Sequence, residues 1–105
     1  MTYRIFETDG FLEDLEKDFG GRREKILKKL REYVYPRLRE NPHYGPNIKK
    51  LRDFSPDTWR YRIGDYRFFY QIDEEEKIVF MIVAEHRKKR AINSKTLLSP
   101  SWEIL

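Results

Sequence analysis

The spacing of hydrophobic and polar positions divides the chain into a helical first half and an extended second half. Residues 2–6 are a short β-prone segment between polar residues, which predicts a first strand. Thr8 or Asp9 can cap the helix that follows. Its apolar positions recur at helical spacing and are Phe11, Leu12, Leu15 and Phe19. Gly20-Gly21 is expected to break this helix.

A second amphipathic helix is predicted to begin near Arg22. Its apolar positions are Ile26, Leu27, Leu30 and Val34, and its other face is basic. Pro36 is expected to kink or end this helix, because proline lacks the backbone N–H and clashes with the preceding turn. Two such helices joined by a tight turn predict a helical hairpin.

The next segment, residues 40–47, is rich in proline, glycine and asparagine, and it predicts a loop. After it, Ile48 and Leu51 are expected to bring the chain back onto the core.

The remaining pattern predicts an antiparallel meander. Residues 59–63 and 66–72 have the pattern of two strands, and Gly64-Asp65 between them suits a two-residue turn of type II′. Residues 78–84 are a continuous, β-branched apolar run, which predicts a central strand covered on both faces.

These elements predict an α+β fold in a single domain over residues 1–105. The expected order is an N-terminal strand, a helical hairpin, an antiparallel meander of three to four strands, and a short C-terminal helix or tail over residues 91–105.

Composition narrows the function classes. The chain has no cysteine and two histidines, so a thiolate or zinc site is not expected. The N-terminus has no pattern of a signal peptide, and no apolar run approaches the roughly 20 residues of a membrane span. We therefore expect a cytoplasmic protein with no membrane partner. The net charge of +4 is compatible with an anionic partner.

The predicted hairpin brings like charges together. A turn at Gly64-Asp65 places Arg62 opposite Arg67, with Arg60 on the same face of the sheet. Directly opposed like charges destabilise a sheet by roughly 0.2–1 kcal/mol. The pattern therefore suggests an anion that uses both arginines, and the planar guanidinium suits phosphate. The alternative is a solvated basic face.

The following strand is expected to extend this face. If Ile72 pairs with Ile78, Arg67 falls beside Val83. Alternation from Val83 then places Glu85 and Arg87 on the arginine side.

Two further groups of basic or titratable side chains are candidates for binding an anion. His86 is expected at the strand end, within reach of the arginines. Lys25, Lys28 and Lys29 on the second helix either follow an RNA backbone or form a solvated surface.

The segments KKLRD, WRYRIGDYRFFYQID and VAEHRKK resemble the RelE/ParE superfamily of bacterial and archaeal type II toxins. The resemblance covers about residues 2 to 92 and implies a RelE-like βααβββ fold. RelE-like members cleave mRNA in the ribosomal A site without a metal, through attack of the RNA 2′-hydroxyl on the adjacent phosphate. ParE-like members instead poison DNA gyrase. Both kinds are neutralised by an antitoxin encoded beside them.

The resemblance also assigns roles. It matches Arg60 and Arg62 to the basic pair of RelE-like nucleases, Arg67 to the arginine after the turn, and Arg87 to the basic residue that ends the last strand. His86 stands where several relatives carry histidine. RelE has lysines at the first two positions. Where many relatives have a tyrosine shortly afterwards, this chain has Ile92.

The resemblance therefore implies a ribosome-dependent endoribonuclease toxin without a cofactor. Arg62, Arg67 and Arg87 would stabilise the transition state, His86 would act as acid or base, and Arg60 would hold a flanking phosphate. Its implied partners are mRNA, the ribosome and a cognate antitoxin. A ParE-like gyrase inhibitor remains the alternative. The apolar residues between Leu97 and Leu105 either complete the core or give way to an antitoxin helix.

Overall fold

The computed structural model describes residues 2–86, with the side chains of residues 18–20 left out. Arg87 and the predicted C-terminal helix or tail lie outside the described residues. Within residues 2–86 no helix is long and apolar enough to cross a membrane.

The chain begins with strand β1, Arg4–Glu7, and helix α1, Asp9–Phe19. Thr8 caps this helix, because its Oγ1 accepts a hydrogen bond from the backbone N–H of Phe11 at 3.3 Å. The same hydroxyl donates to the carbonyl of Met81 at 2.7 Å, which ties the cap to the sheet. The predicted cap is therefore confirmed, with a second role in tertiary contact.

The second helical segment continues further than its proline suggests. After a 3₁₀ turn, Gly20–Arg22, it comprises α2 (Arg23–Lys29), a π-helical turn (Leu30–Val34) and α3 (Tyr35–Glu40). Pro36 lies at the start of α3, where a missing N–H is tolerated after the change of hydrogen-bond register in the π turn.

The strands form one five-stranded sheet in the order β1-β5-β4-β3-β2, which confirms the predicted α+β architecture. The later strands are β2 (Ile48–Lys50), β3 (Trp59–Ile63), β4 (Tyr66–Asp73) and β5 (Ile78–His86). β1 runs parallel to β5, and the other pairs are antiparallel. For the segment that forms β2, the sequence predicts contact with the core but not a strand.

The helices cover one face of the sheet. Their buried apolar side chains are Phe11, Leu15, Ile26, Leu30, Val34 and Leu38. From the sheet they meet Tyr61, Tyr66, Phe68, Tyr70, Val79 and Met81. Leu12, expected in the apolar stripe of α1, is instead 40% exposed. The opposite face of the sheet carries the charged side chains of β3 and β4 together with the buried Phe69.

Candidate functional site: an arginine face on the sheet

The β3–β4 hairpin has the predicted register. Arg62 is directly opposite Arg67, and Ile63 is opposite Tyr66. Gly64 has φ +59°, whereas Asp65 does not have a positive φ, which is the combination expected of a type II′ turn. A side chain other than glycine would be strained at the first turn position. This turn fixes the two arginines side by side.

Alternation then separates two sets of side chains. Tyr61 and Phe68 face the helices and are buried. Arg60, Arg62 and Arg67 lie on the other side, each partly exposed. We call these three residues the arginine face.

The arginines of this face act on one another electrostatically. The pKa of Arg60 is lowered from its ordinary value, first by burial and then by the positive charges of Arg67 and Arg62. The Nε atom of Arg60 is buried and makes no hydrogen bond within residues 2–86. A buried donor without a partner is costly. An anion bound at this face would supply that partner and relieve the repulsion.

Strand β5 does not have the predicted register. Ile72 pairs with Val79 rather than Ile78, and Arg67 lies opposite Glu85 rather than Val83. The turn between the strands is longer than a two-residue hairpin, so it allows this slip. A bulge in β5, opposite the step between Phe69 and Tyr70 of β4, adds a second shift by one residue.

Glu85 is on the arginine face, as expected. Its Oε1 lies 3.6 Å from an Nη of Arg67, and the Glu85 side chain is only 6% exposed. The carboxylate thus balances part of the charge at the Arg62–Arg67 pair. Within residues 2–86 no carboxylate forms an ion pair with Arg60 or Arg62.

His86 is not brought into the arginine face. It pairs with Tyr66 across the strands, so its side chain lies on the helix face, where it is 5% exposed. Its ring packs edge-on against Tyr66 with the centroids 4.8 Å apart. Its Nε2 is 3.0 Å from an Nη of Arg22. Because a guanidinium only donates, this nitrogen is the acceptor and the ring proton lies on Nδ1.

The remaining predicted residues lie elsewhere. Lys25, Lys28 and Lys29 belong to α2, on the side of the sheet opposite the arginine face, with Lys25 and Lys28 exposed. Arg87 lies outside the described residues. The structure therefore brings together Arg60, Arg62 and Arg67, and it does not bring these lysines to them.

Two residues were missed by sequence reasoning because β2 was not predicted. Lys49 pairs with Arg60 across β2 and β3, so it lies on the same side as the arginine face. Asn47 forms hydrogen bonds with both backbone groups of Arg62. Its carbonyl accepts from the Arg62 N–H at 3.0 Å, and its Nδ2 donates to the Arg62 carbonyl at 2.8 Å. The short run Ile48-Lys49-Lys50 does not alternate between apolar and polar residues, so it gave no local signal of a strand.

The arrangement is suited to binding phosphate by charge and by guanidinium geometry. Within residues 2–86 no three acidic, histidine or cysteine side chains are grouped so that they hold a metal ion.

Comparison with known families gives the identity of the fold. A family model described as the ParE toxin of type II toxin–antitoxin systems matches residues 6–90. The chain belongs to this family of toxins. It is thereby a member of the RelE/ParE superfamily, as its sequence segments suggest. No curated protein matches the sequence.

Solved structures agree with this assignment. A chain of a RelBE toxin–antitoxin complex from Mycobacterium tuberculosis is 28% identical with a TM-score of 0.67, covering 83% of this toxin and 100% of that chain. A variant of the Escherichia coli toxin RelE in the free state is 27% identical with a TM-score of 0.66, covering 100% of both chains. A chain of the RelE–RelB complex from Pyrococcus horikoshii is 23% identical with a TM-score of 0.61, covering 87% of this toxin and 100% of that chain, and it supports the fold alone.

Proposed function

We propose that this toxin is a ribosome-dependent endoribonuclease that cleaves mRNA without a metal ion. The observation that carries the proposal is the Arg62–Arg67 pair, held in direct register with Arg60 beside it. Opposed like charges destabilise a sheet, and a bound anion would offset the repulsion between Arg62 and Arg67. The likeness to RelE toxin structures at 27–28% identity supports a toxin of the RelE type.

The chemistry assigned to this face is phosphoryl transfer within the RNA. The 2′-oxygen forms a bond to the adjacent phosphorus, and the bond from phosphorus to the 5′-oxygen breaks. The proton leaves the 2′-hydroxyl, and the departing 5′-oxygen gains one, so no net proton is consumed. The products are a 2′,3′-cyclic phosphate and a 5′-hydroxyl. Between attack of the 2′-oxygen and departure of the 5′-oxygen, negative charge accumulates on the phosphorane.

Arg62 and Arg67 stabilise that charge in this proposal, because preorganised cations act where charge develops. They supply the charge that a metal ion supplies in other phosphoryl-transfer sites. Arg87, at the chain position after β5, is proposed to contribute further charge. The proton-transfer role expected for His86 stays a prediction, since its ring lies on the helix face against Tyr66.

An antitoxin partner is also proposed. The RelBE structures that this toxin resembles at 28% identity are toxin–antitoxin complexes. An acidic antitoxin segment over the arginine face would neutralise the same charges that bind RNA.

The test uses purified ribosomes programmed with a synthetic mRNA. Wild-type toxin should cut the message in the A site and leave the cyclic phosphate end. Arg67→Ala should abolish cutting, but it also removes an ion-pair partner of the buried Glu85 carboxylate, which is destabilising. The double variant Arg67→Gln/Glu85→Gln removes both charges and keeps the shape. A folded double variant that cuts at the wild-type rate would contradict the site.

A second candidate function has support from the family model, which is described by the ParE toxin. A toxin of that kind would inhibit DNA gyrase by binding it. Induction in cells separates the two functions. Early arrest of protein synthesis supports the nuclease, whereas loss of DNA supercoiling with translation intact supports the gyrase inhibitor.

A further inference from the structure

Strand β2 adds a cation to the arginine face that the hairpin alone does not provide. Lys49 is directly opposite Arg60, and directly opposite residues share one face of a sheet. Lys49 is exposed, so its ammonium is open to a ligand. Its neighbour Lys50 points the other way, where its Nζ lies 5.7 Å from the Trp59 ring centroid and 3.3 Å from Asp57 Oδ2.

The sheet therefore carries two opposed like-charge pairs, Lys49–Arg60 and Arg62–Arg67. Directly opposed like charges destabilise a sheet when no ligand is bound. The pairs share strand β3 and are two residues apart along it, which corresponds to about 6.6 Å. That spacing is comparable to the distance between successive phosphates of an extended RNA strand.

The Lys49–Arg60 pair also has the surroundings of a binding site. On its other side Arg60 is opposite Phe69, which is 4% exposed. The apolar neighbour explains why burial is the first cause of the lowered Arg60 pKa. In such surroundings the interaction with an anion is stronger than in water. The buried, unbonded Nε of Arg60 provides a donor for it.

We propose that Lys49 and Arg60 form a second phosphate subsite, which holds the phosphate adjacent to the one bound by Arg62 and Arg67. The RNA backbone then follows β3 across the hairpin toward the β2 edge. Lys49 is the new substrate-binding residue, and it contacts RNA through charge alone. This inference rests on the proposed nuclease function.

The test combines a protein variant with a change in the RNA. Ribosomes are programmed with three synthetic mRNAs: one unmodified, one with a neutral methylphosphonate immediately 5′ of the scissile phosphate, and one with it immediately 3′. Single-turnover cleavage is measured for wild type, Lys49→Ala and the matched control Lys50→Ala. Thermal unfolding of each variant verifies that it is folded.

On unmodified mRNA, Lys49→Ala should reduce cleavage about 1.4- to 5-fold, the range of one exposed ion pair. Loss of one phosphate contact should also make the salt dependence shallower, by about 0.7 in the log–log slope. Lys50→Ala should leave both quantities unchanged.

The modified mRNAs decide whether Lys49 contacts the neighbouring phosphate. With one of the two methylphosphonates, wild type should lose activity, and Lys49→Ala should cut that mRNA at the same reduced rate as wild type, because the lysine no longer has a charged phosphate to contact. If the Lys49→Ala defect is the same on all three mRNAs, or if there is no defect, the second subsite is wrong. If the wild type cuts no mRNA on ribosomes, the proposed function fails instead, which is a different outcome.

Discussion

Replacing Arg62 by glutamine should make the toxin more stable and less active at the same time. Arg62 is directly opposite Arg67 and has no ion-pair partner within residues 2–86. Glutamine removes its charge and keeps most of the side-chain stem. The hydrogen bonds between Asn47 and residue 62 are not affected, because they use the main-chain N–H and carbonyl of residue 62.

The expected gain in stability follows from the opposed charges. Relief of one like-charge cross-strand pair is worth roughly 0.2–1 kcal/mol, which raises the unfolding temperature of a domain of this size by about 1 to 8 °C. The expected loss of activity is about 10²- to 10³-fold, comparable to removal of one transition-state donor in other enzymes.

The assays are thermal unfolding at low salt and single-turnover cleavage of ribosome-bound mRNA. The stability gain should shrink as salt is added, because screening weakens the repulsion. Arg4→Gln is the matched control, since Arg4 lies on β1 at the far edge of the same sheet. It should change neither quantity by more than a small amount.

Two results would refute the reasoning. A loss of stability in Arg62→Gln would show that the pair is not repulsive in the free toxin. A folded variant with the wild-type cleavage rate would show that Arg62 does not contact the reacting phosphate.

Three further outcomes are expected. The pKa of Glu74 is lowered from 4.5, chiefly by its hydrogen bond with His43. Glu74→Gln should therefore reduce the free energy of unfolding near neutral pH. The difference in unfolding free energy between wild type and variant, measured as a function of pH, should vanish as the pH falls through the folded-state pKa of Glu74. His86→Leu should lower the free energy of unfolding, measured in urea, by about 1 to 3 kcal/mol, because leucine cannot accept the hydrogen bond from Arg22. A changed shape of the pH profile of cleavage in the folded variant would support the proton-transfer role predicted for His86, and an unchanged shape would contradict it. The double variant Lys28→Glu/Lys29→Glu should reduce co-sedimentation of the toxin with ribosomes more at low salt than at high salt. An equal reduction at both salt concentrations would indicate a solvated surface.

The hairpin could be predicted from sequence because a two-residue turn leaves little freedom of register. Gly64 admits the positive φ that the turn needs, and the pairing of Arg62 with Arg67 follows from it. The helix cap at Thr8 was likewise local in origin. The sequence was therefore sufficient to predict the hairpin register and the helix start, because a local turn and a local cap determine them.

Other parts depended on contacts distant in sequence. β2 has only three residues, and its partner β3 determines that it is a strand. The position of Lys49 on the arginine face could therefore not be predicted. The side of the sheet that His86 occupies was uncertain for a similar reason, because the longer turn before β5 and the bulge within it both alter the register.

The bulge in β5 also affects how this toxin tolerates changes in chain length. Ile82 is the residue that the ladder passes over, since Tyr70 pairs with Met81 and Phe69 with Val83. Deletion of the Ile82 codon would let the ladder close regularly with the Arg67–Glu85 neighbours retained. Insertion of one codon after it would shift each later residue of β5 to the other face, turning the Glu85 carboxylate into the core. The effect of a change in chain length at this point is therefore asymmetric: the arginine face is compatible with the loss of one residue and incompatible with the gain of one.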